Sequence, residues 1–250
     1  MFNTVTLLIT HYNRSKSLQR LLQAFVDQKI EFAGIVVSDD CSSAAHLDYL
    51  NELKDLFNFT LVTTPKNGGL GNNINKGLDV ITTPYILYVQ EDFDPLPGYA
   101  THLQDAIDIM EERPEMDITR FYAYFKYPYL KPFRKGFSEM IFKIWYPGYR
   151  KFHAYSDHPH LRRSTFTQKF GRYAEGLNVE RTEFLMVISF LKNKGKGMFY
   201  EDHKGLFEQI NTSVEPSTME RKGLKHLDNP IMWAAKALYR NVVHTIKVLS

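Results

Sequence analysis

The stretch "YILYVQEDFDP" (residues 85–95) sets Glu91, Asp92 and Asp94 directly behind five largely apolar residues. Carboxylates crowded at the tip of a strand repel one another unless a cation lies among them. Mg2+ and Mn2+ prefer oxygen ligands and often take phosphate oxygens at the same time. One reading is therefore a metal–diphosphate site. The other is a solvated turn, since Asp and Pro are ordinary turn residues. A second acidic pair, Asp39–Asp40 in "SDDCSS", can accept hydrogen bonds from a base or a ribose, or can cap a helix. The glycine-rich "KNGGLGNNINKG" (residues 66–77) opens a helical pattern. It follows the third expected strand, without G-x-G-x-x-G spacing and without G-K-[ST]. That excludes a nicotinamide dinucleotide fingerprint and a P-loop.

These clusters need elements to hold them. Residues 4–10, 34–38, 59–63 and 85–89 read as strands. Leu18, Leu21, Leu22 and Phe25 repeat at helical spacing, as do Leu47, Leu50, Leu53 and Leu56. A helix over 98–113 and a fifth strand over 117–124 follow. Alternating strands and helices predict an α/β fold, a mostly parallel sheet covered on both faces. Ligands of such sheets bind at the carboxyl ends of the strands. Residues 10–14, 39–40, 66–69 and 90–94 all fall there, so four loops on one edge make one site.

The second half is less regular. Residues 125–163, rich in Pro, aromatic and basic side chains, receive no firm assignment. Residues 164–171 and 179–194 look helical, 196–200 a strand, and 229–248 a basic amphipathic helix. The expected organisation is 1–124 as the ligand-binding half, 125–228 as the other half of the same domain, and 229–250 as the C-terminal helix.

Composition sets bounds. The 250 residues carry a net charge of +3 and 44% hydrophobic residues, as in a globular chain with a sizeable core. The lone cysteine, Cys41, excludes an internal disulfide and a Cys-based zinc site, and it suits a reducing compartment. "MFNTVTLLITHYNRS" lacks a basic n-region and reads as a strand, not a signal peptide. Lys126, Lys131, Arg134, Lys135, Lys143, Arg150 and Lys151 share an aromatic segment with one acid, Glu139. The tail adds Lys225, Lys236, Arg240 and Lys247. That charge suits an anionic or interfacial partner, or Lys and Arg stems lying around a small second core. No nucleic-acid-binding motif accompanies it.

"TLLITHYNRSKSLQRLL", "IVVSDDCSS", "KNGGLGNNINKGL" and "YILYVQEDFDPLPGY" come in that order. Together they resemble the family 2 glycosyltransferases of GT-A (Rossmann-like) fold over about the first 100 residues. The resemblance implies inverting transfer of a sugar from a nucleotide diphosphate sugar, with a UDP-linked donor favoured, to a glycan or lipid-linked acceptor in bacterial cell-surface polysaccharide synthesis. It implies a cytoplasmic enzyme, with possible peripheral contact at the inner membrane face. Thr10, Tyr12 and Arg14 match the first nucleotide-contacting loop. Asp40 matches the base-recognising carboxylate, and Asn67, Gly69 and Asn75 match the loop near nucleotide and sugar. Asp92 matches the last Asp of a D-x-D motif that binds Mn2+ or Mg2+. Gln90 stands where the first Asp is usual; it keeps an acceptor oxygen for ribose or sugar but loses the charge, for which Glu91 can compensate.

The resemblance also implies a general base downstream, in "GRYAEGLNVERTEFLMVISFLKNKGK". Glu180 aligns best, Glu183 shares its helix face, and Glu175 is a third choice. The bland alternative is helix N-terminal acids favoured by the dipole. In "SDHPHLRRSTF", His158 is a candidate metal ligand, beside Asp157 and His160. Arg162 and Arg163 either neutralise a diphosphate or form a solvated face. Competing functions are a nucleotide-sugar-binding protein without activity, suggested by Gln90 and Arg181, and a nucleotidyltransferase, for which "THYNRS" lacks the glycines.

Overall fold

Two strands buried along almost their whole length set the centre of the molecule. They are β1 (Phe2–His11) and β4 (Tyr85–Gln90), paired in parallel from Val5↔Tyr85 to Thr10↔Gln90. The structure, a computed structural model, describes residues 1–212, 215 and 230–250. Beside β1 lie β2 (Phe32–Asp39) and then β3 (Thr60–Val62), both parallel to it. The helices between them are α1 (Ser15–Asp27), α2 (Ala44–Phe57) and α3 (Gly69–Leu78). After β4 come a short β5 (Phe93–Pro95), α4 (Tyr99–Glu112) and β6 (Ile118–Arg120).

Period-2 alternation sends side chains of each strand into two separate cores. Val5, Leu7 and Ile9 of β1 pack with Leu18, Leu22 and Phe25 of α1 and Leu103 and Met110 of α4. Leu8, Ile86 and Tyr88 point the other way, toward Ile74 of α3 and the helices α5 (Phe166–Phe170) and α6 (Val179–Lys192). This is the α/β fold expected, with helices on both faces.

The half expected to be irregular is where the structure departs from the reading. It supplies β7 (Leu130–Arg134), β8 (Phe137–Met140), β9 (His160–Arg163) and β10 (Gly197–Tyr200). The order of the nine-stranded sheet is β3-β2-β1-β4-β9-β6-β10-β8-β7. β9 runs antiparallel between β4 and β6, so a strand absent from the sequence reading sits in the middle of the sheet. Its arginines are neither solvated nor near the acids of residues 91–94. Arg162, fully buried, donates to the Tyr173 hydroxyl at 2.7 Å, and Arg163 donates to the carbonyls of Met110 and Met116. A separate two-stranded ribbon pairs β5 with β11 (Phe207–Gln209).

The basic aromatic segment is partly tied to the body. Lys126 pairs with Glu201, Arg134 with Glu112 and Lys135 with Asp105. Lys151 is buried and donates to the carbonyls of Ile144 and Tyr146. The last helix, α7 (Pro230–Leu249), packs on α6 and on the 3-10 turn Tyr149–Phe152. Asn229, its expected first residue, and Lys225 lie outside the described residues.

One close approach fixes the glycine-rich helix against the far half. A Cβ on Gly71 would lie 2.1 Å from the Ala174 carbonyl oxygen and 2.9 Å from its carbon. Backbone cannot yield as a side-chain tip does. Gly71→Ala is therefore expected to destabilise the protein by about 1–3 kcal/mol, read as a fall in the urea midpoint at unchanged slope. An unchanged midpoint would mean that residues 173–175 move freely relative to α3.

Candidate functional site

The carboxyl ends of β1, β2 and β4 meet at one edge, and the residues there are arranged by hydrogen bonds between loops. His11, fully buried, donates Nδ1–H to Asp39 Oδ1 at 2.7 Å and accepts the Arg14 backbone N–H on Nε2 at 3.2 Å. Burial keeps the imidazole below its usual pKa, against the pull of Asp39. Burial would raise the Asp39 carboxyl, but hydrogen bonds from His11 and from the Ser42 hydroxyl and N–H hold it below the usual range. Asp39 thus joins the loops after β1 and β2.

Asp40 faces the glycine loop. Its two oxygens accept the backbone N–H groups of Gly68 and Gly69, at 2.8 and 2.9 Å. Each oxygen retains a free lone-pair direction. Gly69 has φ +78°, a left-handed conformation that favours glycine, and Asn67 Oδ1 also accepts its N–H. Behind the loop, Lys76 donates to Ser38 Oγ at 2.7 Å and to Asn73 Oδ1. Burial lowers it to about 8, against the pull of Asp40, Asp39 and Glu175. Asn75 does not reach the loop edge. It is buried, its Nδ2 donates to Tyr173 O and Glu175 Oε1, and its Oδ1 accepts the Tyr173 N–H. Its donors are used in clasping α3 to residues 173–175, and Glu175 is drawn into the same clasp.

The acids after β4 surround an arginine. Arg14 Nη1 lies 3.4 Å from Glu91 Oε1 and 3.2 Å from Asp92 Oδ2. Its Nη2 donates to Asn211 Oδ1 and to the Glu215 carbonyl. Gln209 Nε2 donates to Asp92 Oδ2 at 2.9 Å. Burial, then Asp92, push Glu91 up to about 8, with Arg14 opposing. Asp94 is raised by burial against Arg20, whose Nε donates to it at 2.7 Å. Thr10, next to last in β1, has its hydroxyl 3.0 Å from that of Tyr88 and stands opposite the half-buried Gln90 in register. Tyr12 is half-buried in the following loop.

A second acidic group lies just beyond β4, because β9 pairs antiparallel with it and Tyr88 opposes His160. The Asp157 N–H donates to Glu183 Oε1 at 3.1 Å, and Asp157 Oδ1 accepts the Tyr155 hydroxyl at 2.6 Å. Asp157 Oδ2 is buried without a hydrogen-bond partner among the described residues. Burial, then Glu183, push Asp157 up to about 7. Burial also raises Glu183, while the Asp157 N–H and Arg120 oppose it. Arg120, buried, donates to the His153 carbonyl at 2.6 Å. Glu180, one turn earlier on α6, is exposed. Of the expected acids on α6, the fold brings only Glu183 to this group.

His158 connects the two groups. Its ring lies 5.8 Å from Phe93, 5.5 Å from Tyr122 and 4.6 Å from Tyr124. The Tyr124 hydroxyl donates to Gln209 Oε1, and Gln209 in turn holds Asp92. His158 Nδ1 is 2.6 Å from Ser156 Oγ, and burial, then Arg120 and His153, hold the imidazole down to about 3. As the side chains stand, this set does not fit a divalent cation. Asp92 Oδ2 already holds the Arg14 ion pair and the Gln209 amide N–H, position 90 offers an amide, and one ring nitrogen of His158 is engaged. No three His, Cys, Asp or Glu side chains among the described residues converge on a common point.

Arg120, Gln209, Asn211 and Lys76 escaped the sequence reading as site residues. An arginine in the otherwise apolar "DITRFYAY" was a usable signal for Arg120. Nothing in the sequence marks Gln209.

Among solved structures, the fold resembles residues 1–349 of TarS from S. aureus, with TM-score 0.60 and 18% identity, over 82% of this chain and 59% of that one. The same fragment in complex with UDP-GlcNAc matches with TM-score 0.60 and 16% identity, over 86% and 62%. GalNAc-T7 with UDP, GalNAc and Mn2+ matches with TM-score 0.60 and 15% identity, over 79% and 42%. At these identities the likeness concerns the fold alone, and the chain spans about three fifths of the TarS fragment. No curated protein matches the sequence. The family model "Glycosyl transferase family 2" matches residues 6–174, more than half of the chain and all four loops of the edge, and the chain belongs to that family.

Proposed function

We propose that the protein is an inverting glycosyltransferase that takes a sugar from a nucleotide diphosphate donor, UDP-linked by preference, to a hydroxyl of a glycan or lipid-linked acceptor. The observation that carries the reading is the meeting of the two groups at one sheet edge. Arg14, beside residues 91–92, can exchange its carboxylate partners for a diphosphate, and the Asp157–Glu183 pair next to it suits a proton acceptor. The UDP and UDP-GlcNAc bound by TarS favour uridine.

Asp40 holds the glycine loop from below and keeps lone pairs for the base or ribose. Tyr12, Asn67 and Gly69 line the nucleotide, with Thr10 at the end of β1. Gln90 offers an oxygen and an N–H to ribose or sugar. Arg14 sets a resident positive charge beside the diphosphate. The acceptor oxygen bonds to the anomeric carbon as the bond from that carbon to the diphosphate oxygen breaks. The electron pair leaves with the nucleoside diphosphate, and the hydroxyl proton passes to Glu183. Arg120 steadies the Glu183 carboxylate, and burial raises its basicity. GalNAc-T7 was solved with Mn2+; here Arg14 and Gln209 fill the role at Asp92 that the sequence reading gave to Mn2+ or Mg2+. A second reading, donor binding without transfer, draws on the same Gln90 and on Arg181.

Two measurements test the proposal. In calorimetry, UDP is expected to bind with an affinity that EDTA changes by less than about threefold, because the cluster has its own cation. Binding lost in EDTA and restored by Mn2+ would return Asp92 to the metal role. In a UDP-release assay with a UDP-sugar, Glu183→Gln is expected to lower kcat by about 10²–10⁴-fold without changing UDP affinity, while Glu180→Gln leaves the rate near that of the native chain. The native rate should rise with pH above the ordinary carboxylate range, as Glu183, raised by burial, loses its proton, and that limb should flatten in Glu183→Gln. UDP bound tightly with no release from any UDP-sugar would favour the binding protein.

A further inference from the structure

The long helix α7 turns one face to the body and, among the described residues, leaves an apolar face uncovered. On the packed side, the His244 ring lies 5.2 Å from Phe152 and 4.7 Å from Phe184, and Val248 packs on the core of α6. Arg240 lies over the Tyr149 ring at 5.6 Å. On the other side Met232, Leu238, Tyr239, Val242, Ile246 and Leu249 are 47–71% exposed. At 100° per residue these six fall within an arc of about 120°. Lys236, Arg240 and Lys247 fall along one border of that arc, and residues 230–250 contain no Asp or Glu. The loop that leads into the 3-10 turn under α7 carries Trp145, 74% exposed, with Lys143 Nζ 5.7 Å from its ring.

We propose that α7, with Lys143 and Trp145 alongside, docks the protein flat on an anionic lipid surface. The charge pattern selects this occupant. A second copy would set three uncompensated cations of one α7 against three of another. Anionic headgroups neutralise the same cations while the stripe enters the acyl boundary, and Tyr and Trp suit the level between. The helix lies on the surface and does not cross it, for no helix among the described residues is long and apolar enough to span a bilayer. The inference stands apart from the donor chemistry, although a lipid-linked acceptor would be presented at such a surface.

Flotation with phosphatidylcholine vesicles, with and without phosphatidylglycerol, tests it on the full chain. Binding is expected only with phosphatidylglycerol, weakened by salt, and reduced at least about tenfold by Val242→Glu/Ile246→Glu. Lys236→Gln/Arg240→Gln/Lys247→Gln should lose the anionic preference. Both variants change exposed or border positions, and an unchanged melting temperature and UDP affinity would show that the fold and the donor site are intact. In Trp145→Phe the fluorescence shift on adding vesicles should shrink. No binding to anionic vesicles, binding indifferent to these substitutions, or a concentration-dependent dimer that Val242→Glu/Ile246→Glu dissolves would each overturn the proposal.

Discussion

The site depends on a buried guanidinium. Glu91 and Asp92 form a buried turn behind a strand in the middle of the sheet, where solvent cannot carry their charge away, and two neighbouring buried carboxylates need a cation or a proton. Arg14 answers from the loop after β1. It sits at the N-cap of α1, however, where the helix dipole disfavours positive charge and where the first turn has no acid of its own. Glu215, from far along the chain, supplies the missing anion. Its carboxylate accepts the N–H groups of Lys16 and Ser17 and the Ser17 hydroxyl, while its carbonyl accepts from Arg14. One ion cluster thereby fastens the first helix, the end of β4 and the strand β11 together.

The antiparallel β9 has an equal effect on the chemistry. Had another parallel strand followed β4, its carboxyl end would have added one more loop to the edge. Running the other way, β9 begins at the edge, and the residues just before it, Asp157 and His158, become part of the site. The strand can carry arginines into the core because each finds partners. Arg162 bonds Tyr173 and lies over the Phe166 ring at 5.3 Å, and Arg163 takes carbonyls at the end of α4 and just beyond it.

Those arginines also explain what could be read in the sequence and what could not. The first half was legible because each strand is an apolar run and each helix has a periodic stripe, so the loops holding Thr10, Asp40, Gly69 and Asp92 fell on one edge by counting alone. "HLRR" offered no such pattern, and only the distant Tyr173 and Met110 make its burial tolerable. The β7–β8 hairpin hid for another reason. Its turn is Lys135–Gly136, both at positive φ, and a lysine in that position is a poor turn signal. On α6, periodicity placed Glu180 and Glu183 one turn apart, but no pattern told which of them meets Asp157. Asn75 shows the converse limit: a residue at a motif position whose amide holds the scaffold.

Gln90 acquires a physical meaning from the charge at the end of β4. Glu91, Asp92 and Asp94 are three carboxylates; Arg14 and Arg20 are two guanidiniums. With Glu215 left to the N-terminus of α1, the excess is one negative charge, and Glu91, pushed up to about 8, can remove it by keeping its proton near neutrality. A fourth carboxylate at position 90 would break this balance, and a bound divalent ion would be the natural way to restore it. Glutamine leaves one charge fewer for the protein groups to balance. It also leaves an amide, an acceptor and a donor together, at the end of β4. On this argument the departure at Gln90 is coupled to Arg14: the arginine can reside among the acids because one fewer acid is there.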